Sequence, residues 1–194
     1  MKKDIILAGV GGQGILSVAA IIGLAALDYG LEIKQSEVHG MSQRGGAVVS
    51  HLRISDEKIY SDLIPEGQAD LILSVEPMEA LRYLSFLKKD GWIISNKKPF
   101  INVPDYPPVE DLLNAIKSIP NSFVIDADGI AKSLKSPRSS NVVIVGAASP
   151  IIGLPMENLK NGIRAIFGRK GEDVVNLNIQ ALERGREEAL LEMK

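Results

Sequence analysis

Asp4-Ile5-Ile6-Leu7-Ala8 runs into Gly9-Val10-Gly11-Gly12-Gln13-Gly14 and then into a long apolar segment that begins Ile15-Leu16. The order reads as an apolar strand, a glycine turn and a helix. Gly9, Gly11 and Gly14 hold the G-x-G-x-x-G spacing, in which one glycine makes the turn, one admits a ligand to the backbone and one lets helix and strand pack closely. The first N–H groups of the helix would then face an anion. Gly12 and Gln13 join the three glycines as candidate binding residues for a phosphate-bearing ligand. The alternative is a tight strand-to-helix corner that binds nothing. A P-loop is the weaker match, because no Lys-Ser/Thr pair follows Gly14.

Composition narrows the classes. With 194 residues and 45% hydrophobic side chains, the chain can bury a sizeable core and reads as one domain, 1–194. A formal net charge of −2 and the lack of any block of like charge argue against nucleic acid and anionic membrane as partners. The sequence has no cysteine, which excludes disulfides, thiolate-held zinc, a cysteine nucleophile and a cysteine-held iron–sulfur cluster. A reducing cytoplasm is the expected compartment. Lys2 and Lys3 before an apolar stretch imitate a signal peptide or a membrane span, but Asp4, Gln13, Ser17 and the glycines interrupt both patterns.

Helix Ile15–Tyr29 is apolar on nearly every face, so it needs cover from this chain or another, and Gly30 is its stop signal. A strand at Leu31–Val38 leads into His39-Gly40-Met41-Ser42-Gln43-Arg44-Gly45-Gly46. Glu37 lies near the place where a dinucleotide fold keeps its ribose carboxylate, although a polar run continues past it. His39, Ser42, Gln43, Arg44 and Gly45 read as a recognition loop or, equally, as a solvated loop whose glycines serve turn geometry. The strand Ala47–Ile54 is expected to pair with Lys58–Ser61 as an inserted hairpin, with His51 a hydrogen-bonded strand residue and no catalyst.

Further on, Ala69–Val75, a helix at Pro77–Leu87 and Gly91–Ser95 form a βαβ unit with a right-handed crossover. An extended, proline-rich connection at Pro99–Pro108 leads to a helix at Val109–Ile119 and a strand at Ser122–Asp126. Asp126 would cap the helix Ala127–Leu134. Helices are expected at Asn141–Gly153, with Asn141 as an N-cap candidate, at Pro155–Phe167 and at Glu172–Met193. The fold class is therefore α/β: a Rossmann-like three-layer fold with a mainly parallel sheet and an inserted β-hairpin.

Four stretches carry a resemblance: the glycine turn, Ser36–Gly46, Asn141 with Gly146-Ala147, and Asn178-x-x-Ala181-x-x-x-Gly185. Together they resemble the gamma-type domain of 2-oxoacid:ferredoxin oxidoreductases, and within it the indolepyruvate ferredoxin oxidoreductase beta subunits. The resemblance implies a subunit without cofactors of its own, working beside a larger subunit that holds thiamine diphosphate, magnesium and iron–sulfur clusters. It further implies an arylpyruvate and coenzyme A as substrates and ferredoxin as electron acceptor. The residues agree on one point, since electron sink and electron conduction are cofactor chemistry and a chain without cysteine cannot hold such a cluster through thiolates. No catalytic side chain is assigned. The rival is a stand-alone dinucleotide-binding protein or small NAD(P)-dependent dehydrogenase, supported by the glycines alone.

Overall fold

The computed structural model describes residues 1–39 and 45–193, with the side chain of His39 left out of the description. Strands β1 (Lys2–Val10), β2 (Glu32–His39), β3 (Ala47–Ser55), β4 (Ala69–Ser74), β5 (Leu87–Asn96) and β6 (Ser122–Ile125) form one sheet in the order β2-β3-β1-β4-β5-β6. β1, β4, β5 and β6 pair in parallel, and β3 runs antiparallel between β1 and β2. The helices are α1 (Ile15–Asp28), α2 (Pro77–Arg82), α3 (Val109–Lys117), α4 (Ala127–Ser133), α5 (Ser140–Ile152), α6 (Met156–Phe167) and α7 (Glu172–Glu192). The central strands are buried on both faces, which is why Ile5–Ala8 and Leu71–Leu73 read as unbroken apolar runs.

The inserted hairpin is β2–β3, and the pairing expected between 47–54 and 58–61 does not form. β3 is paired along its length on both sides, from Ser55 opposite Lys2 to Ala47 opposite Val10, and from Ser55 opposite Glu32 to Val48 opposite His39. No edge is left for Lys58–Ser61. That segment packs as a loop instead, with the Ile59 N–H donating to Glu32 Oε1 at 3.1 Å and the Ile59 side chain buried. The helix expected to run to Leu87 stops at Arg82. A 3-10 turn at Leu84–Phe86 follows, and β5 already begins at Leu87, opposite Ala69 across a register shift.

Helices α2 and α3 cover one face through Ala80 and Ile116, while α1, α4 and α5 cover the other. On that second face α6 and α7 form an outer tier. A Cβ on Gly162 of α6 would lie 2.6 Å from the Ile21 carbonyl oxygen of α1, so these backbones nearly touch. The all-apolar helices thus find most of their cover within the chain: α5 is buried almost throughout, and α1 keeps Leu16, Leu24 and Leu27 outward. α1 ends in a Schellman cap, in which Leu31 N–H donates to Ala26 O (2.9 Å) and Gly30 N–H, at φ 82°, to Leu27 O (3.0 Å). No helix among the described residues is long and apolar enough to cross a membrane.

His51 is a hydrogen-bonded strand residue. It is buried, its Nδ1 accepts the Ile64 N–H at 3.1 Å, and its ring meets Phe86 edge-on at 5.2 Å. Burial lowers its pKa below the ordinary 6.5, Asp62 opposes that shift and Arg53 adds to it. A depressed folded-state pKa means that the unfolded chain takes up the proton first, so the stability is whole above about pH 6.5 and declines as pH falls through the folded value. His51→Asn can keep an acceptor near Ile64 without a titrating ring. The gap in melting temperature between wild type and this variant should therefore narrow between about pH 7.5 and 5. A constant gap across that range would contradict the assignment.

Candidate functional site

The glycine turn sits at the carboxyl end of β1, where chain direction divides: α1 leaves β1 for one face of the sheet and α2 leaves β4 for the other. Such a division opens a crevice above the strand ends. Gly9 is the next-to-last residue of β1, where a Cβ would lie 2.4 Å from Val75 Cγ2 and 3.0 Å from Ile15 Cδ1. Gly11 is tied to the hairpin, its N–H donating to Gly46 O (2.8 Å) and its carbonyl accepting from Gly45 N (3.2 Å). Gly12 and Gly14 adopt φ 100° and 85°, a region open to glycine and costly for other residues. Gly14 is also crowded, since a Cβ there would be 2.6 Å from Asn141 Nδ2.

Gln13 turns back rather than outward. Its Oε1 accepts the Val10 N–H at 2.8 Å and its Nε2 reaches Val75 O at 3.5 Å, so its amide fastens the ends of β1 and β4. Asn96, at the end of β5, reaches the same carbonyl at 3.4 Å and holds Asp128 Oδ2 at 2.9 Å. Asn141 is not the N-cap of α5, which is Ser139. It donates from Nδ2 to Gly14 O at 3.3 Å and links the start of α5 to the start of α1.

These pieces surround a cleft of about 810 Å³ floored by Gly12–Gly14, Val75 and Asn96 and walled by the start of α5, the 98–100 segment, and Val174 to Asn178 of α7. Of the helix N-termini that border it, α4 supplies Asp128 and α7 supplies Val174 from their first turns, and two more, those of α1 and α5, open into it. Neither carries an acidic residue in its first turn, whereas α2, α3, α4, α6 and α7 all do. Their partial positive charge is left without an anion from the chain. Lys98, Arg138 and Lys170 line the same cleft. Lys98 is engaged by Asp128 at 2.9 Å, and Lys170 lies over the Phe167 ring at 5.3 Å. The arrangement can bind and orient an anion. Among the described residues, no group of three or more His, Cys, Asp or Glu side chains is placed to hold a metal ion.

Gly12, Gln13 and Gly14 therefore gather at one cleft, whereas Gly9 packs against Val75 and Ile15 and Gly11 bonds Gly45 and Gly46 of the hairpin. Glu37 is not at the cleft. It lies on the edge strand β2, and β3 separates it from β1, whereas a ribose carboxylate belongs at the end of the strand next to the turn. Its Oε2 is buried without a hydrogen-bond partner among the described residues. His39 ends β2, and Ser42, Gln43 and Arg44 lie outside the described residues. Sequence reading missed Lys98, Arg138 and Lys170, which come from three separate connections and share no local pattern, and it singled out Asn178 for the resemblance without placing it at the site.

The family model "Pyruvate ferredoxin/flavodoxin oxidoreductase" matches residues 4–188. An indolepyruvate oxidoreductase subunit IorB of Pyrococcus horikoshii is 38% identical over 196 residues, with 95% of each chain covered. That of Archaeoglobus fulgidus is 36% identical, covering 98% of this chain and 96% of its own. Among solved structures, the gamma subunit of a keto/oxoacid ferredoxin oxidoreductase from Geobacter sulfurreducens superposes with a TM-score of 0.70 at 27% identity, over 97% of this chain and 99% of that one. A 2-oxoglutarate:ferredoxin oxidoreductase from Magnetococcus marinus, solved with 2-oxoglutarate, coenzyme A and succinyl-CoA, gives a TM-score of 0.77 at 26% identity. There the match covers 98% of this chain but 31% of the longer one. With the family model spanning nearly the whole chain and relatives above 30% identity along its length, the chain belongs to the pyruvate ferredoxin/flavodoxin oxidoreductase family, as its gamma-type domain.

Proposed function

We propose that this chain is the small subunit of a thiamine diphosphate-dependent 2-oxoacid:ferredoxin oxidoreductase acting on an arylpyruvate of the indolepyruvate type. The reaction joins the 2-oxoacid to coenzyme A, releases carbon dioxide and a proton, and passes two electrons to ferredoxin. Thiamine diphosphate, magnesium and the iron–sulfur clusters, held by a larger partner subunit, supply the electron sink and the conduction path. This chain supplies binding and alignment. The names of the indolepyruvate oxidoreductase relatives support the substrate class, and the absence of cysteine from the sequence supports placing the clusters elsewhere.

One observation carries the role of the cleft: two of the helix N-termini that border it, those of α1 and α5, have no acidic first turn, and three cations against one acid, Asp128, line the same space. A phosphate-bearing ligand completes that arrangement. Coenzyme A is the substrate of the proposed reaction with such groups, and its phosphates are assigned to this cleft. The dehydrogenase alternative loses its ribose carboxylate with Glu37 on the far strand.

Reconstitution tests the reading. The chain alone, given thiamine diphosphate, magnesium, coenzyme A, indolepyruvate and ferredoxin, is expected to show no turnover, and addition of the large subunit that co-purifies from the native host is expected to give acyl-CoA formation with ferredoxin reduction. Turnover by the chain alone, or saturable micromolar binding of NAD or NADP by calorimetry, would displace it in favour of the dehydrogenase.

A further inference from the structure

One wall of the cleft is the connection from β5 to α3, residues 97–108, of which Lys98, Pro99 and Phe100 line the space. The connection is gathered on a single buried side chain. Glu76, at the end of the apolar β4 run, has no solvent exposure. Its Oε2 accepts the Glu79 N–H at 2.9 Å and so caps α2. Its Oε1 accepts the Phe100 N–H at 3.3 Å and the Tyr106 hydroxyl. Ser74 fixes the backbone beneath it, the Glu76 N–H donating to Ser74 Oγ (3.2 Å) and that hydroxyl donating to Glu76 O (2.6 Å).

Capping does not explain a glutamate here. Ser, Thr, Asp and Asn are the usual N-caps, because a short side chain reaches the N2 or N3 amide. Burying a carboxylate is costly unless every lone pair direction is met. The second buried carboxylate nearby, Glu79, is answered by Arg82 at 2.9 Å, whereas the donors to Glu76 are all neutral and two belong to the connection. The longer side chain is what allows one carboxylate to hold the helix start and both ends of the 100–106 segment.

The segment then passes the alignment onward. Asn102 Nδ2 donates to Gly45 O at 2.6 Å, and Gly45 and Gly46 bond both sides of Gly11 in the glycine turn. Hydrogen bonds joined by the main chain from Phe100 to Asn102 and from Gly11 to Gly12 thus connect Glu76 with the cleft floor. We infer that Glu76 is a positioning residue of the cleft, a latch that holds residues 97–106 as a preformed wall and, through Asn102 and Gly45, sets the wall against the glycine turn. Burial first, and the bond to Glu76 second, push the Tyr106 pKa upward, which keeps the donor proton on its hydroxyl. The inference rests on the reading of the cleft as the ligand site.

Two substitutions separate the latch from the cap. Glu76→Ser keeps an N-cap for α2 but cannot reach the connection, and Tyr106→Phe removes one latch donor and leaves the buried carboxylate and its cap in place. Hydrogen exchange is expected to accelerate about tenfold or more across residues 100–106 in both variants, with little change over residues 79–82. In the assembled enzyme both should raise the KM for coenzyme A by about threefold or more while kcat stays within about twofold. Unchanged exchange across 100–106 in both variants overturns the latch, as does equal loosening of α2. A loosened segment with an unchanged KM overturns the positioning role. An assembled wild-type enzyme that makes no use of coenzyme A counts against the proposed function, and the exchange result then decides the latch by itself.

Discussion

Gly185→Ala is expected to destabilise the fold by about 3 kcal/mol or more, although alanine is the better helix former by about 1 kcal/mol. The two effects have opposite signs, and the geometry decides between them. A Cβ on Gly185 would stand 1.9 Å from the Val143 carbonyl oxygen and 3.1 Å from the Ala147 nitrogen of α5. The reciprocal contact, Gly146 against the Leu182 carbonyl oxygen at 2.0 Å, leaves α7 no room to slide along its neighbour. Both obstacles are main chain, so no side chain can rotate aside and the helices must separate. Separation would open gaps around Leu182 and Val143 in a close-packed core. Gly168→Ala is the internal control, since nothing lies within 4 Å of its added methyl and its φ of −54° suits alanine. Urea unfolding should show a large fall in midpoint for Gly185→Ala and a change within about 0.5 kcal/mol for Gly168→Ala. Equal midpoints for the two would mean that the helices are not in backbone contact. The same contact also supports the site, because α5 carries Asn141 and α7 carries Asn178 into the cleft.

Legibility in the sequence followed how local the cause was. The turn from β1 to α1 was readable because a strand period, three glycines and an apolar helix lie within one short stretch, and Asp126 capping Gly129 at 2.9 Å was readable for the same reason. Pairing was not. Lys58–Ser61 has strand-like alternation, but whether it pairs depends on β1 and β2 having already taken both edges of β3. The apolar α1 and α5 announced that they needed cover, while the identity of the cover, α6 and α7, depends on glycine contacts between distant segments. Asn141 looked like a cap because caps are local. Its actual partner, Gly14 O, is 127 positions away. The site divides in the same manner, since its glycine floor is one motif and its cations are scattered. Glu76 left one local trace, a Glu-Pro pair closing an apolar strand, yet its function depends on Phe100 and Tyr106.

The cations of the cleft lead to the largest functional effect. Reversing Arg138 and Lys170 together, Arg138→Glu with Lys170→Glu, should weaken coenzyme A on the order of a hundredfold in the assembled enzyme, read as KM at low ionic strength. A charge-assisted contact contributes about 1.5–3 kcal/mol, and each 1.4 kcal/mol is about tenfold in affinity. Because both side chains are exposed and screened, the lower figure applies to each, and two such losses multiply to about a hundredfold. Lys98 is left alone, since its bond to Asp128 would confuse a binding loss with a local rearrangement. Stability should change little: among the described residues neither reversed cation is in an ion pair, and Lys170 lies over the Phe167 ring at 5.3 Å, a pairing of about 0.5–1 kcal/mol at an exposed site. Lys89→Glu controls for net charge, as Lys89 is exposed near the start of β5, at the end of the sheet away from the cleft. The penalty should shrink as salt rises toward about 0.5 M, where the screening length falls to a few ångströms. A double variant with wild-type KM, or one whose loss matches that of Lys89→Glu, would remove the cleft from coenzyme A binding and leave its two acid-free helix ends to another anion.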